Sequence, residues 1–500
     1  MELKHYQKSV IDDLTRFLAL LEDTSSIPKS FERLWNEKKV NIGFGSLPYY
    51  QSILPGVPNV CLKVPTGGGK TFIAANAIRP IFDSLPHVKT KAVVWLVPSD
   101  PILEQTLKTL SNVHHAYRQK IDMDFSHRVQ VYSKDQLLSG HSFNPTTVSE
   151  QLSVFVLSYD SFRTSKKEGR KAYQQNGYLA QFAKMADGSA ALLEDIDETA
   201  LIQVIRTFNP VVIVDESHHA RSPLSKDMLT NFNPCFVLDL TATPTKESNI
   251  ISIVDALQLK RENMVKLPVI VCNRRTQGDV FADAINVRNK LEEEAKAERA
   301  ETGRYIRPIV LFQAEPKGKE TNTTFEKIKR ILVDSGIPAN QIAIKTADVN
   351  DLRGVDLLDE SCPIRYIITV NALKEGWDCP FAYVLATIAN RTSVVDVEQI
   401  LGRILRLPNT RKSASNLLNI SYVITSSGDF HATLERVVKG LNDAGFSDKD
   451  YRVGTLVEET PSDTPALSPP VQLPLPSTDA AESEDDLDDV DAMQIKAQTD

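Results

Sequence analysis

Val64-Pro65-Thr66-Gly67-Gly68-Gly69-Lys70-Thr71 lies between the apolar run Val60-Cys61-Leu62-Lys63-Val64 and the helix-like stretch Phe72–Ile78. This succession of strand, glycine-rich turn and helix decides the fold. Three consecutive glycines permit tight curvature, so several backbone N–H groups can converge on one anion. The start of the helix adds its partial positive charge. Thr66, Gly67, Gly68 and Gly69 would line such a cradle. Lys70 would bridge the β- and γ-phosphates of a bound nucleotide, and Thr71 would place its hydroxyl on Mg²⁺. The strict phosphate-loop pattern wants a glycine earlier in the turn than this segment has one.

Working outward, the runs Ala92–Val97, Val129-Gln130-Val131, Val154–Leu157, Val211–Val214 and Cys235–Leu240 are apolar without alternation. Helical stretches separate them. That pattern predicts a parallel sheet covered on both faces. Residues 161–202, rich in Lys, Gln and Ala, are expected to be a helical insertion before the strand at Val211. The pattern restarts near Val269. A charged helix is expected over about Ala282–Thr302, then the strand Ile309–Phe312 and the helix Phe325–Val333. Strands at Ile342–Ile344, Tyr366–Val370, Tyr383–Ala386 and Ser421–Ile424 complete a second α/β unit.

The strand Val211–Val214 ends in Asp215-Glu216-Ser217-His218. Two adjacent carboxylates at the end of a buried strand are costly unless they act. Asp215 is expected to hold Mg²⁺, and Glu216 to polarise an attacking water. His218 and His219 have no third and fourth ligand nearby in sequence, so they are expected to make polar contacts rather than bind zinc, and His114 and His115 are expected to be surface or packing residues.

Composition bounds the rest. The chain has 500 residues, 42% of them hydrophobic, which suits two to four domains with cores of their own. No apolar run approaches the roughly 20 residues of a membrane helix, and the N-terminus lacks a secretory signal. The five cysteines are scattered without metal or redox spacing, so a cytoplasmic protein with reduced thiols is expected. The net charge is -8, but residues 458–500 alone carry -11 and leave the body at +3. A mildly basic body is compatible with nucleic acid as a partner. The Pro-, Ser- and acid-rich end cannot bury enough apolar surface to order itself.

Motif by motif, the residues resemble superfamily-two helicases of the DEAD/DEAH type. Leu3-Lys4-His5-Tyr6-Gln7 is similar to the family's glutamine motif, in which Gln7 would read adenine. Val97-Pro98-Ser99 and Ser158-Tyr159-Asp160-Ser161 resemble motifs that touch the nucleic-acid backbone. Asp215-Glu216-Ser217-His218 is similar to the DEAH box, and Thr241-Ala242-Thr243-Pro244 to the motif that couples ATP state to strand grip. Asn371-Ala372-Leu373-Lys374-Glu375-Gly376-Trp377-Asp378 resembles motif V. Glu398-Gln399-Ile400-Leu401-Gly402-Arg403-Ile404-Leu405-Arg406 resembles motif VI, with Ile400 where many members carry arginine. The wording of the last two looks most like the motor (Res) subunit of type III restriction enzymes.

The resemblance implies two tandem RecA-like doubly wound parallel-sheet domains and an ATP-dependent motor. Gly376 and Asp378 would face nucleotide, and Gln399 would orient or sense the water. Arg403 and Arg406 would reach the γ-phosphate when the lobes close. Ser99, Ser158, Arg163, Thr241 and Asn371 would contact nucleic acid, duplex DNA on family grounds. The domains expected are an extension at 1–58, RecA-like domains at 59–260 and 265–455, and a disordered acidic tail at 456–500. A modification or specificity subunit is an expected partner, and membrane is not. No nuclease signature is visible after residue 410, so a nuclease domain would lie beyond residue 500 or be lacking in this member. An RNA helicase, and an ATP-driven switch without unwinding, stay open as alternatives.

Overall fold

The computed structural model describes residues 2–40, 42–43, 47–162, 171–185, 192–215, 223–315, 323–346, 348–370, 379–388, 404–426, 434–435, 438–439, 441–442, 446 and 450–453. The acidic tail expected at 456–500 lies outside them.

Seven strands form the first sheet: β1 (Asn59–Lys63), β2 (Ala92–Val97), β3 (Val129–Tyr132), β4 (Leu152–Ser158), β5 (Val211–Asp215), β6 (Phe236–Thr241) and β7 (Ile250–Ile253). Their order is β3-β4-β2-β5-β6-β1-β7, and every pair is parallel. Seven more form the second: β8 (Val269–Asn273), β9 (Ile309–Gln313), β10 (Ile342–Lys345), β11 (Tyr366–Thr369), β12 (Ala382–Thr387), β13 (Ser421–Thr425) and β14 (Tyr451–Val453). The order β10-β11-β9-β12-β13-β8-β14 repeats the first sheet position for position, again all parallel. Two tandem parallel sheets are what the apolar runs predicted, and their shared order fits the RecA-like domains that the resemblance implied. The repeat is one of topology and is invisible as sequence similarity.

Burial of both faces explains the missing alternation. Along β2, Val93, Trp95 and Val97 join one apolar cluster while Ala92, Val94 and Leu96 join another on the opposite face, and all six are fully buried. The first cluster continues through Met264, Val265 and Leu267 into the core of the second sheet.

Helices α1 (His5–Thr24) and α2 (Ile27–Glu37) cover the edge strand β7. The Trp35 indole N–H donates to the Ile250 carbonyl at 2.8 Å, Lys38 Nζ donates to Ile251 O at 3.2 Å, and the Ser252 hydroxyl donates to Asp13 at 2.6 Å. The unpaired carbonyls of a sheet edge are thereby satisfied. The sequence pattern had missed both β7 and β14.

Within the stretch 161–202, the described residues include 3-10 helices at Lys171–Tyr173 and Gly177–Met185, and an α-helix begins at Leu201. Asn176 breaks the path: its amide donates to Leu138 O at 2.7 Å and its side-chain oxygen accepts the Tyr178 N–H at 3.1 Å. Leu179 and Phe182 then anchor the segment, with Phe182 against Phe143 and Phe208. Tertiary packing sets the course of these short helical turns.

Candidate active site

In the first sheet β5, β6 and β1 are neighbours, so three functional segments leave the same carboxyl edge side by side. This edge is where open parallel sheets bind ligands. Lys63 lies opposite Thr241 in the register, and Asp215 opposite Leu240.

The chain leaving β1 turns at Pro65, whose carbonyl accepts the Gly68 N–H at 3.0 Å. Gly67 and Gly69 sit at φ +83° and +75°, in the left-handed region that glycine enters without steric cost. A β-carbon on Gly68 would lie 2.6 Å from Val64 Cγ1, and one on Gly69 2.6 Å from Gln7 Nε2. The three glycines therefore make a cradle that a side chain would fill. Helix α3 (Lys70–Asp83) begins at once, with the Phe72 and Ile73 N–H groups both donating to Gly69 O at 3.0 Å. Lys70 is the first helical residue and is buried, while Thr66 and Thr71 are half-buried.

Helix α1 pins this loop from below. The Tyr6 hydroxyl donates to Gly68 O at 2.8 Å, and Gln7 Nε2 donates to the same carbonyl at 3.2 Å. The other end of the Gln7 amide accepts the Lys4 N–H at 3.0 Å. Burial raises the Tyr6 hydroxyl pKa well above its ordinary value, so Tyr6 stays a donor. The motif pattern had singled out Gln7 and missed Tyr6.

Asp215 ends β5 and is buried. Its carbonyl accepts the Tyr159 hydroxyl at 2.6 Å, which links the end of β4 to the end of β5. A carboxylate and the Thr71 hydroxyl are hard oxygen donors of the kind Mg²⁺ takes. With the cradle beside them they fit a metal held with substrate phosphates.

Arg406 reaches this edge from the second half of the chain. Its Cγ lies 3.5 Å from the point a β-carbon on Gly67 would occupy, and Val265 Cγ1 lies 3.4 Å from that point. Arg406 is held by an antiparallel bridge to Val265. The Lys266 N–H donates to Leu405 O at 2.5 Å and the Leu407 N–H to Met264 O at 3.0 Å.

The structure brings Gln7, Thr66 to Thr71, Asp215 and Arg406 to one region of the fold through these elements. The residues expected to meet nucleic acid are placed less uniformly. Ser99 precedes helix α4 (Asp100–Ser111) and is half-buried, its hydroxyl without a hydrogen-bond partner. Ser158 is buried, its hydroxyl 3.1 Å from that of Ser161. Thr241 is buried and its hydroxyl accepts the Thr243 N–H at 3.2 Å. His115 caps helix α5 (Ala116–Asp124) by accepting the Tyr117 N–H at 3.3 Å, and desolvation lowers its pKa. Glu216, Arg163, Asn371, Gly376, Asp378, Gln399 and Arg403 lie outside the described residues, as do His218 and His219.

Residues 1–246 match the family described as "Type III restriction enzyme, res subunit". No curated protein matches the chain. Among solved structures, the chain is similar to an ATP-dependent Type ISP restriction-modification enzyme, LlaBIII, bound to DNA. The identity is 14% and the TM-score 0.49, over 91% of this chain and 31% of that one. A fragment of a putative HsdR subunit of a type I restriction enzyme from Vibrio vulnificus aligns at 15% identity and TM-score 0.44, over 79% of this chain and 64% of that one. The helicase Lhr of Mycobacterium smegmatis, bound to single-stranded DNA and AMP-PNP, aligns at 15% and 0.43, over 77% and 46%. The chain thus spans about a third of the restriction-modification enzyme's length. The match to the res-subunit family covers residues 1–246, which hold the phosphate loop, Asp215 and the helix α1 that pins the loop.

Proposed function

We propose that the protein is an ATP-driven motor that translocates on duplex DNA, as part of a restriction or phage-defence system. The observation that supports this most is the approach of Arg406 to Gly67. An arginine from the second half of the chain against the phosphate loop can complete transition-state charge only in one arrangement of the two halves. Hydrolysis and conformational change then become one event.

Lys70 and the loop N–H groups bind the phosphates of ATP, and Gln7, buried beneath the loop, supports it through Gly68 O rather than meeting the adenine. Thr71 and Asp215 would hold Mg²⁺, which when bound would neutralise charge on the phosphate oxygens. Glu216 takes the proton of the attacking water, Gln399 orients that water, and Arg403 and Arg406 stabilise the transferring phosphoryl group. Gly376 and Asp378 face the nucleotide. Ser99, Arg163 and Asn371 touch the nucleic-acid backbone, whereas Ser158 and Thr241, both buried, hold the turns that follow their strands. Backbone contacts position without reading sequence, so a modification or specificity subunit, or a domain outside this chain, supplies target choice.

A triplex-displacement assay tests the reading. With ATP, the protein should strip a third strand from duplex DNA, and Glu216→Gln should bind ATP yet displace nothing. ATP turnover without displacement on any duplex would reject translocation.

A further inference from the structure

Lys266 lies in the segment between the last element of the first sheet's half and β8, and it is fully buried. An ammonium taken out of water costs several kcal/mol unless its protons find acceptors. Its Nζ donates to Pro380 O at 2.8 Å and Ala382 O at 2.6 Å, and sits 3.9 Å from the centre of the Tyr383 ring. Pro380 and Ala382 follow directly on the stretch that resembles motif V. The Lys266 main chain faces the other way, its N–H donating to Leu405 O at 2.5 Å. The Ser421 hydroxyl lies within bonding distance of both Lys266 O, at 3.4 Å, and Ile404 O, at 3.3 Å. One residue therefore ties the connecting segment to the start of β12 on one side and to the residues flanking Arg406 on the other. The neighbour Val265 pairs with Arg406 and touches the same point above Gly67.

We propose that Lys266 is a positioning residue for Arg406: its buried ammonium fixes the connecting segment, and that segment sets where the arginine meets the phosphate loop. The proposal rests on the motor reading above and deepens it. Without the ammonium, the buried Ala382 carbonyl and the carbonyl of half-buried Pro380 lose this donor and the Met264–Lys266 backbone is free to shift. Arg406 shifts with it, because its register is set by that backbone. Lys70 and the loop glycines are untouched, so ATP still binds.

The experiment is a kinetic double-mutant cycle on the full chain with Mg-ATP. Lys266→Met should lower the Tm, because two carbonyls lose their donor, yet at a temperature where both proteins are folded the ATP KM should stay within about twofold while kcat falls by about 10- to 100-fold, the scale of a misplaced catalytic group. In an Arg406→Ala background, Lys266→Met should cause no further fall in kcat. An undiminished kcat in Lys266→Met, or an equal further fall in the Arg406→Ala background, overturns the proposal. If Lys266→Met does not fold, Lys266→Gln, which keeps one amide donor, is read by the same two criteria. Wild-type protein without ATP turnover sinks the motor reading and the proposal with it. Wild-type turnover with an unaffected Lys266 variant sinks the proposal alone.

Discussion

Arg406 stands against Gly67, its Cγ 3.5 Å from where a β-carbon on that glycine would be. Residues 339 positions apart in sequence thus share one contact at the rim of the phosphate loop. Arg406→Ala is expected to lower ATP kcat by about 10³-fold, the lower range for an arginine finger, with KM little changed. Steady-state kinetics against ATP concentration check this, and unchanged kcat would remove Arg406 from the chemistry.

Gly69 leaves no room for a side chain. At φ +75°, with Gln7 Nε2 2.6 Å from the built β-carbon, Gly69→Ala must both strain the backbone and expel the Gln7 amide. The left-handed conformation alone costs about 1–2 kcal/mol. ATP affinity should drop by at least about tenfold, one factor per 1.4 kcal/mol. Equilibrium binding of a fluorescent ATP analogue measures it, and wild-type affinity would contradict the cradle geometry.

Tyr159 has a role that its motif did not announce. Its hydroxyl holds the Asp215 carbonyl at 2.6 Å, so Tyr159→Phe frees the end of β5. A lost buried hydrogen bond costs about 1–3 kcal/mol. The expected outcome is a raised Mg²⁺ requirement for ATP turnover, with near-normal kcat at saturating metal. A Mg²⁺ titration of turnover would show it, and an unshifted midpoint would argue against metal binding by Asp215.

The paired strands were legible because burial on both faces leaves unbroken apolar runs, as in Ala92–Val97, which matches β2 residue for residue. The phosphate loop and Asp215 were legible because their chemistry needs fixed local spacing. Tyr6 was not, since its link to Gly68 spans 62 residues and leaves no local pattern. Lys266 in Val265-Lys266-Leu267-Pro268 resembles any surface lysine until its acceptors on β12 are known. Strand β7 escaped because it is only four residues long, of which three pair with β1 across a register shift, and α2 covers its edge.

Asp239 predicts a pH dependence of stability. It lies opposite Cys61 in the middle of β6, and burial pushes its carboxyl from the ordinary 3.8 up to about 7. The folded chain then keeps a proton that the unfolded chain releases. Its contribution is full below about pH 4 and is lost as pH rises towards about 7. Asp239→Asn should therefore gain stability over wild type as pH rises from about 5 to about 8, read as the difference in Tm. A difference that does not change with pH would show that Asp239 is ionised throughout.

The most direct test of the account is ATP turnover by the full chain, measured alone and with duplex DNA, single-stranded DNA or RNA. A translocating motor should show slow turnover alone, a marked rise with duplex DNA, and loss of that rise in Arg406→Ala. A rate that no nucleic acid changes would contradict the motor reading.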